Sequence, residues 1–246
     1  MKQSLSTENL YLDPNAPSAE TLAAFNLEGI PVLLAGGGGQ TYRINNAVLK
    51  PAGNEVLMSW LAEITENLTS EKFRLPKPLR TKNGDWTFQG WIGHQFLDGH
   101  HEDPGFIKSI EVCQDFHQAM NKIEKPNFYN QLDDPFHQAD KMVWGEIPLP
   151  DYDLTNEPLK ILFSRFKKID APDQLIHGDW GFGNMLFHEH LPPAIIDITP
   201  YFRPANLPIA GMLIHAIIEG ADISSTLQLG KHIKDFDQLV LRALAK

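Results

Sequence analysis

The sequence predicts an α+β fold in which an N-terminal lobe of antiparallel strands precedes a mainly helical C-terminal lobe. Up to about residue 97, short apolar runs alternate with glycine and asparagine turn signals, which is the pattern of hairpins. Beyond residue 98, apolar residues recur mostly at helical spacing. Strands and helices that are segregated along a chain are typical of α+β proteins. We therefore expect two lobes, residues 1–97 and 98–246, with a cleft between them.

The first strands surround a run of glycines. Residues 18–27 form a predicted short helix with Ser18 as its N-cap. Residues 31–35 are an apolar run that leads into four consecutive glycines. Residues 40–44 and 47–50 then read as two strands joined by an Asn-Asn turn. The order is therefore strand, glycine-rich loop, strand, tight turn, strand.

The rest of the chain divides into one further N-terminal helix, two more strands and a helical remainder. Asn54 is a plausible N-cap for a helix over 54–68, and Asn83-Gly84 precedes strands over 86–91 and 92–97. Helical spacing recurs over residues 106–122, 135–144, 156–169, 207–219 and 231–245. Two short apolar runs, 175–176 and 194–196, interrupt this helical part and read as strands.

Composition and charge exclude several classes of protein. The chain has 246 residues and a formal net charge of -10, which disfavours binding to a nucleic-acid backbone. No apolar run approaches the ~20 residues that span a bilayer, and the polar N-terminus has no signal-peptide core. The single cysteine, Cys113, excludes an intrachain disulfide. We expect a cytoplasmic protein with neither a membrane nor a nucleic-acid partner.

The chemistry is concentrated in residues 175–187, where an apolar strand enters a polar loop and an apolar strand follows. The loop holds His177, Asp179 and Asn184, and Asp197 ends the later apolar run. Polar residues between buried strands are costly unless they are paired or used. Phosphoryl transfer needs one carboxylate for the attacking hydroxyl, and an amide with a second carboxylate for Mg²⁺.

The segment His177-Gly178-Asp179…Asn184…Ile195-Ile196-Asp197 resembles the catalytic and metal-binding loops of the aminoglycoside phosphotransferase and choline kinase-like family. Members of that family have a protein-kinase-like, two-lobed fold. The resemblance implies that Asp179 is the catalytic base and that Asn184 and Asp197 bind Mg²⁺. It gives His177 a structural role in the loop.

The same resemblance identifies an ATP-binding half in the N-terminal lobe. Lys50 resembles the lysine that contacts the phosphates, with Glu55 as its preferred partner on the next helix and Glu63 as the alternative. The implied nucleotide-binding residues are Gly36, Gly37, Gly38, Gly39, Lys50, Glu55, Gln95, Phe96 and Leu97. The last three would hold adenine through their backbone.

Three functions follow as hypotheses. The first is an ATP- and Mg²⁺-dependent phosphotransferase acting on a hydroxyl of a small molecule; a cationic acceptor would suit Asp98, Glu102, Asp103, Asp133 and Asp134. The second is a non-catalytic nucleotide-binding protein of the same fold. The third is a zinc-dependent hydrolase that uses histidines such as His188 and His190 with His177 and Asp179.

The family's pattern breaks down after Asp197. Many relatives carry a further structural aspartate there, whereas this chain has Pro-Tyr-Phe-Arg-Pro at 200–204. Arg203 or Asn206 is therefore expected to brace the loop. The resemblance still implies ATP and Mg²⁺ binding, and it does not identify the acceptor.

Overall fold

The structure is a computed structural model that describes residues 13–35, 37–149 and 156–246. Its helices, α1 to α8 in chain order, are Ala19–Ala24, Glu55–Glu66, Phe106–Met120, Pro135–Val143, Asn156–Ser164, Leu207–Ile218, Ile223–Gln228 and Phe236–Ala245. Its strands, β1 to β10, are Val32–Leu33, Tyr42–Ile44, Ala47–Pro51, Pro78–Leu79, Thr87–Phe88, Trp91–Gln95, Asp173–His177, Met185–Leu186, Ala194–Ile195 and Pro200–Pro204. The predicted α+β fold class is confirmed.

The described chain divides into two compact units. One contains the described residues up to Leu68 together with Leu75–Asp98, and the other contains Thr69–Arg74 and the described residues from Gly99 onward. The segment 69–74, which the sequence assigns to the N-terminal lobe, is thus part of the second unit. The backbone of Arg74 explains this, because its N–H donates to Pro193 and its carbonyl accepts from Ile195, both at 2.8–2.9 Å.

The first unit is an antiparallel sheet with strand order β1-β2-β3-β6-β4, and β5 pairs with β6. Its core contains Tyr42, Ile44 and Leu49 from β2 and β3, packed with Phe25. Helix α2 packs on the same unit through Ala62, which lies in a cluster with Trp86 and Ile92. Alternate strand residues point to one face, so this core covers one side of β2 and β3.

Both predicted N-caps in this unit are present. The Ser18 hydroxyl accepts from the Thr21 N–H at 3.1 Å, and the Asn54 side chain accepts from the Leu57 N–H at 3.0 Å. The predicted strand over 86–91 is wrong in its extent. Gln89 and Gly90 both have positive φ, so the chain reverses there and Trp91 begins β6.

The second unit contains two small antiparallel sheets packed among helices. Strand β8 pairs with β9, and β10 pairs with β7 from Pro200 opposite His177 to Pro204 opposite Asp173. The sequence did not predict β10, because prolines at both ends of the run argue against a strand. In a two-stranded sheet the missing N–H groups of the prolines are tolerated.

The C-terminal helices differ from the prediction. Helix α8 begins at Phe236 rather than at residue 231, because Asp235 adopts a left-handed conformation with φ of 56°. A separate helix, α7, precedes it and was not predicted. Among the described helices, none combines the length and apolar character that crossing a bilayer requires.

Candidate active site

Asp179 and Asn184 are brought together by the loop between β7 and β8. Asp179 lies two residues beyond the end of β7, and Asn184 ends a 3-10 turn, Phe182–Asn184, just before β8. The Asn184 amide nitrogen donates to the Asp179 backbone carbonyl at 2.7 Å and to its carboxylate at 3.1 Å. The amide therefore fixes the orientation of an exposed carboxylate.

Strand pairing places Asp197 beside this pair. Met185 lies opposite Ile195, and the Ile196 N–H donates to the Asn184 carbonyl at 3.0 Å. Asp197 follows immediately and has φ of 56°, a left-handed conformation that aspartate tolerates better than most residues. The backbone thus turns at Asp197, and the residue is exposed. Asp179, Asn184 and Asp197 are therefore clustered by local backbone geometry within the second unit.

The donor set fits a hard cation. The Asn184 amide nitrogen is engaged by Asp179, so the amide oxygen is the atom left for a ligand. With the Asp197 carboxylate, it offers the oxygen ligands that Mg²⁺ prefers. In the described ranges, no group of three or more histidine, cysteine and carboxylate side chains is arranged to hold a metal. This donor set suits Mg²⁺ better than Zn²⁺.

His177 is part of the scaffold beneath the loop. Its ring is completely buried. The ring Nδ1 accepts from the N–H groups of Asp179 at 3.3 Å and Thr199 at 3.4 Å, and Nε2 donates to the Ile196 carbonyl at 3.3 Å. Both ring nitrogens are thus used to join the Asp179 loop to the segment around Asp197. That leaves no ring lone pair for the zinc site considered from the sequence.

A second buried histidine, His117 on α3, supports His177. The His177 N–H donates to the His117 Nε2 at 3.1 Å, and the Cys113 sulfur lies 3.4 Å from the His117 Nδ1. Trp180 closes the same cluster; its indole N–H donates to Ser109 at 3.1 Å, and only 5% of the residue is exposed. Trp180 therefore covers the loop rather than presenting its ring to solvent.

The burial of His117 predicts a pH dependence of stability. Burial, with a smaller electrostatic effect of the neighbouring His177, lowers the pKa of His117 from 6.5 to about 3. Between these values the unfolded chain binds one proton more than the folded chain, so the free energy of unfolding falls as the pH decreases. Urea unfolding should show that the free energy of unfolding is lower at pH 5 than at pH 7. The variant His117→Gln should reduce this difference by roughly 2 kcal/mol. His215→Gln removes an exposed histidine and is the control; equal drops in both variants would contradict the assignment.

Gly178 is required by a close approach of Tyr201. A Cβ at Gly178 would lie 2.1 Å from the Tyr201 ring, whereas a Cβ at Gly183 in the same loop would meet nothing within 4 Å. Gly178→Ala should therefore displace Tyr201 or the loop between β7 and β8, and lower the free energy of unfolding by roughly 1–3 kcal/mol. Gly183→Ala should change it far less. Urea titration of both variants tests this, and similar losses would show that the contact with Tyr201 is unimportant.

Of the two residues expected to brace the segment after Asp197, Arg203 makes the bracing contacts. Only 4% of Arg203 is exposed, and its guanidinium contacts the Asp140 carboxylate at 2.6–2.7 Å and Glu146 at 2.7 Å. The Lys246 ammonium also reaches Asp140, at 3.1 Å. Asn206 precedes α6 and makes no side-chain cap bond. The network holds β10, and through it β7, against α4.

The glycine-rich loop of the first unit contains a conformation that only glycine adopts easily. Gly37–Gly39 form a 3-10 turn in which Gly38 and Gly39 have φ of 68° and 72°. Gly36 lies outside the described residues. No backbone or side-chain atom would obstruct a Cβ at Gly38 or Gly39, so conformation rather than space selects glycine there.

The lysine expected to contact the phosphates lies on β3, and its two candidate partners lie on α2. Lys50 is on β3 opposite Ile92 of β6. Glu55 opens α2 and accepts the Thr87 hydroxyl at 2.7 Å. Glu63, the alternative partner, accepts from the Trp86 indole at 3.0 Å and from the Arg80 guanidinium at 3.3 Å. Both carboxylates thus accept hydrogen bonds from neighbours within the first unit.

Of the three residues expected to hold adenine through their backbone, two have N–H groups that already donate to protein carbonyls. The Gln95 N–H donates to the Lys77 carbonyl and the Phe96 N–H donates to the Asn46 carbonyl, both at 2.7 Å. The Phe96 ring is also covered, because the Arg43 guanidinium lies 3.6 Å from its centroid. The Gln95 and Phe96 N–H groups therefore already have acceptors within the first unit.

The acidic residues suggested for a cationic acceptor make mainly local contacts. Glu102 accepts from His100 at 2.9 Å, Asp103 accepts from the Gly105 N–H at 2.8 Å, and Asp134 caps α4. Each of these three contacts is made within the residue's own loop.

Comparison with known proteins gives matches in structure but not in sequence. No protein-family model matches the chain, and no curated protein matches it. The choline kinase LicA from Streptococcus pneumoniae superposes with a TM-score of 0.60, 13% identity and coverage of 92% of this chain and 84% of that one. The GDP and kanamycin complex of APH(2")-IIia superposes with a TM-score of 0.56 and 16% identity, and the match covers 91% of this chain and 85% of that one. The amicoumacin kinase hAmiN, in complex with AMP-PNP, Ca²⁺ and Ami, superposes with a TM-score of 0.55 and 13% identity. The match covers 87% of this chain and 70% of that one.

These identities are low, so the likeness concerns the fold. It covers 87–92% of this chain in these three comparisons. The chain therefore has the protein-kinase-like fold of the aminoglycoside phosphotransferases and choline kinases, as the residues from His177 to Asp197 predicted.

Proposed function

We propose that this protein is a small-molecule kinase that transfers the γ-phosphate of ATP to a hydroxyl group. The observation that carries the proposal is the cluster of Asp179, Asn184 and Asp197. The Asn184 amide donates to the first carboxylate, and the pairing of β8 with β9 brings the backbone just before Asp197 next to Asn184. This is the set that phosphoryl transfer needs, on a fold whose solved neighbours include kinases.

Asp179 has the role of the base in this proposal. Its carboxylate is exposed, and the Asn184 amide fixes its orientation, so it can hold a hydroxyl in line with the phosphate. The hydroxyl proton passes to the Asp179 carboxylate as the new oxygen–phosphorus bond forms and the bond to ADP breaks. Asn184 and Asp197 would hold Mg²⁺, which supplies positive charge against the phosphate oxygens.

The nucleotide is assigned to residues of the first unit. The neighbours solved in complex with AMP-PNP or GDP support the use of a nucleotide. We assign the phosphates to the glycine loop and Lys50, and the base to the Leu97 N–H. Glu55 would orient Lys50. ATP is the proposed donor, and GTP is its direct competitor in the assay.

The acceptor is proposed to be a small molecule with a hydroxyl group. The solved neighbours include a choline kinase and an aminoglycoside phosphotransferase bound to kanamycin, which makes amino alcohols and aminoglycosides the first compounds to test. A cationic group on the acceptor would also suit the net charge of -10.

The proposal is tested by following ADP formation with Mg²⁺, ATP and a panel of amino alcohols and aminoglycosides. We expect at least one acceptor to stimulate ADP formation, and EDTA or Asp197→Asn to abolish the stimulation. Nucleotide binding without turnover, for every acceptor, would instead support the non-catalytic nucleotide-binding protein.

A further inference from the structure

A cavity of about 350 Å³ opens in the second unit, away from the residues of the proposed reaction. It lies between the end of α4, the end of α5 and helix α8. Its lining includes Trp144, Phe163, Phe166, Lys167, Lys168 and Arg242. The lining includes none of Asp179, Asn184 or Asp197, so it is separate from the proposed catalytic group.

Arg242 is the unusual member of this lining. Only 8% of the residue is exposed, yet no carboxylate in the described part of the chain forms an ion pair with it. One terminal nitrogen donates to the Lys167 carbonyl at 3.1 Å, and the other reaches Gln238 only at 3.5 Å. The buried Nε has no hydrogen-bond acceptor among the described residues. A buried cation with neutral partners alone is energetically unfavourable.

Aromatic rings hold the Arg242 guanidinium in place. Its central carbon lies 4.7 Å from the Trp144 ring centroid and 4.6 Å from that of Phe166. The Phe163 ring packs against Phe166 at 4.8 Å. The buried Trp144 indole N–H also has no acceptor among the described residues. Stacking fixes the cation without neutralising its charge.

The cavity is locally basic in an acidic protein. Lys167 and Lys168 are exposed residues of its lining, which contains no aspartate or glutamate, whereas the chain as a whole has a net charge of -10. Burial and the neighbouring Arg203 also lower the pKa of Arg242, as expected for an arginine that lacks a counter-ion. Three positive charges around an aromatic wall favour an anion that carries a flat apolar body.

We propose that this cavity binds a small aromatic anion, with its carboxylate or phosphate group against Arg242 and its ring against Trp144 and the phenylalanines. The arginine supplies the fork of donors that recognises such groups, and the two lysines add attraction at the opening. The site is independent of the proposed kinase activity, because its residues belong to other segments of the fold.

Isothermal titration with benzoate, phenyl phosphate and the neutral benzamide tests the proposal, since the three probes share one ring and differ in charge. We expect at least one anion to bind saturably and at least tenfold more tightly than benzamide. The anion that binds more tightly identifies the headgroup. Arg242→Gln should remove this preference. Equal binding of anions and benzamide, or no saturable binding, would overturn the proposal.

A second variant keeps the test valid if Arg242→Gln fails to fold. Lys167→Gln with Lys168→Gln changes two exposed side chains and should weaken anion binding severalfold while leaving benzamide unaffected. Lys231 is exposed and lies outside the lining, so the variant Lys231→Gln should bind the anion as tightly as the parent protein does. Unchanged anion affinity in the double variant would count against the site.

Discussion

Replacing Asp179 by asparagine is expected to lower the rate of phosphate transfer by roughly 10²–10⁴-fold, the usual effect of losing a positioned base. The variant keeps the size of the side chain and a partner for the Asn184 amide, which donates to the Asp179 carboxylate at 3.1 Å. The fold and the affinity for nucleotide should therefore change little. Steady-state kinetics with a responsive acceptor, together with nucleotide titration, measure the two quantities separately.

Glu189→Gln is the matched control for Asp179→Asn. Glu189 is an exposed carboxylate beyond β8, and its side chain is 87% exposed. Its replacement removes one negative charge from the same unit and should leave the rate within twofold. A rate for Asp179→Asn close to that of the control would show that Asp179 is not the base.

Asp140→Ala should destabilise the folded protein more than any other single change considered for this chain. Asp140 is 2% exposed and pairs with both Arg203 and Lys246. Burial alone would lower the pKa of Arg203, but Asp140 and Glu146 raise it above its usual value. Removing the carboxylate leaves buried positive charge, which costs roughly 3–5 kcal/mol. Urea unfolding measures the loss.

The matched control removes a carboxylate from an exposed ion pair. Asp170 contacts Lys234 at 2.7 Å, and both side chains are largely exposed. Asp170→Ala should therefore change the free energy of unfolding by less than about 1 kcal/mol. If Asp140→Ala costs no more than this control, the buried network does not hold β10 against α4.

Much of the fold and the central cluster could be predicted because the signals are local. Asn54 caps α2 through a residue three positions away, and Asp179 and Asn184 lie in one short loop. Asp197 ends an apolar run that was predicted to be a strand. The pairing of that strand with the one after Asn184 was not predicted, and the structure shows Met185 opposite Ile195.

Other features depend on contacts between distant segments and have no local signal. Arg203 and Asp140 are 63 residues apart, and nothing in the run Pro200–Pro204 indicates which carboxylate its arginine meets. The segment 69–74 joins the second unit only because its backbone pairs with residues 193 and 195. The Gln95 and Phe96 amides looked available in sequence, but distant carbonyls already accept from them.

The most direct test of the central claim follows the phosphate itself. ATP labelled in its γ-phosphate is incubated with the protein, Mg²⁺ and the acceptor panel, and the products are separated by mass spectrometry. We predict that the label appears in a phosphate ester of an acceptor in equal amount to ADP, and that Asp179→Asn removes both products. Label found only in ATP or in inorganic phosphate, for every acceptor, would contradict the assignment of this protein as a small-molecule kinase.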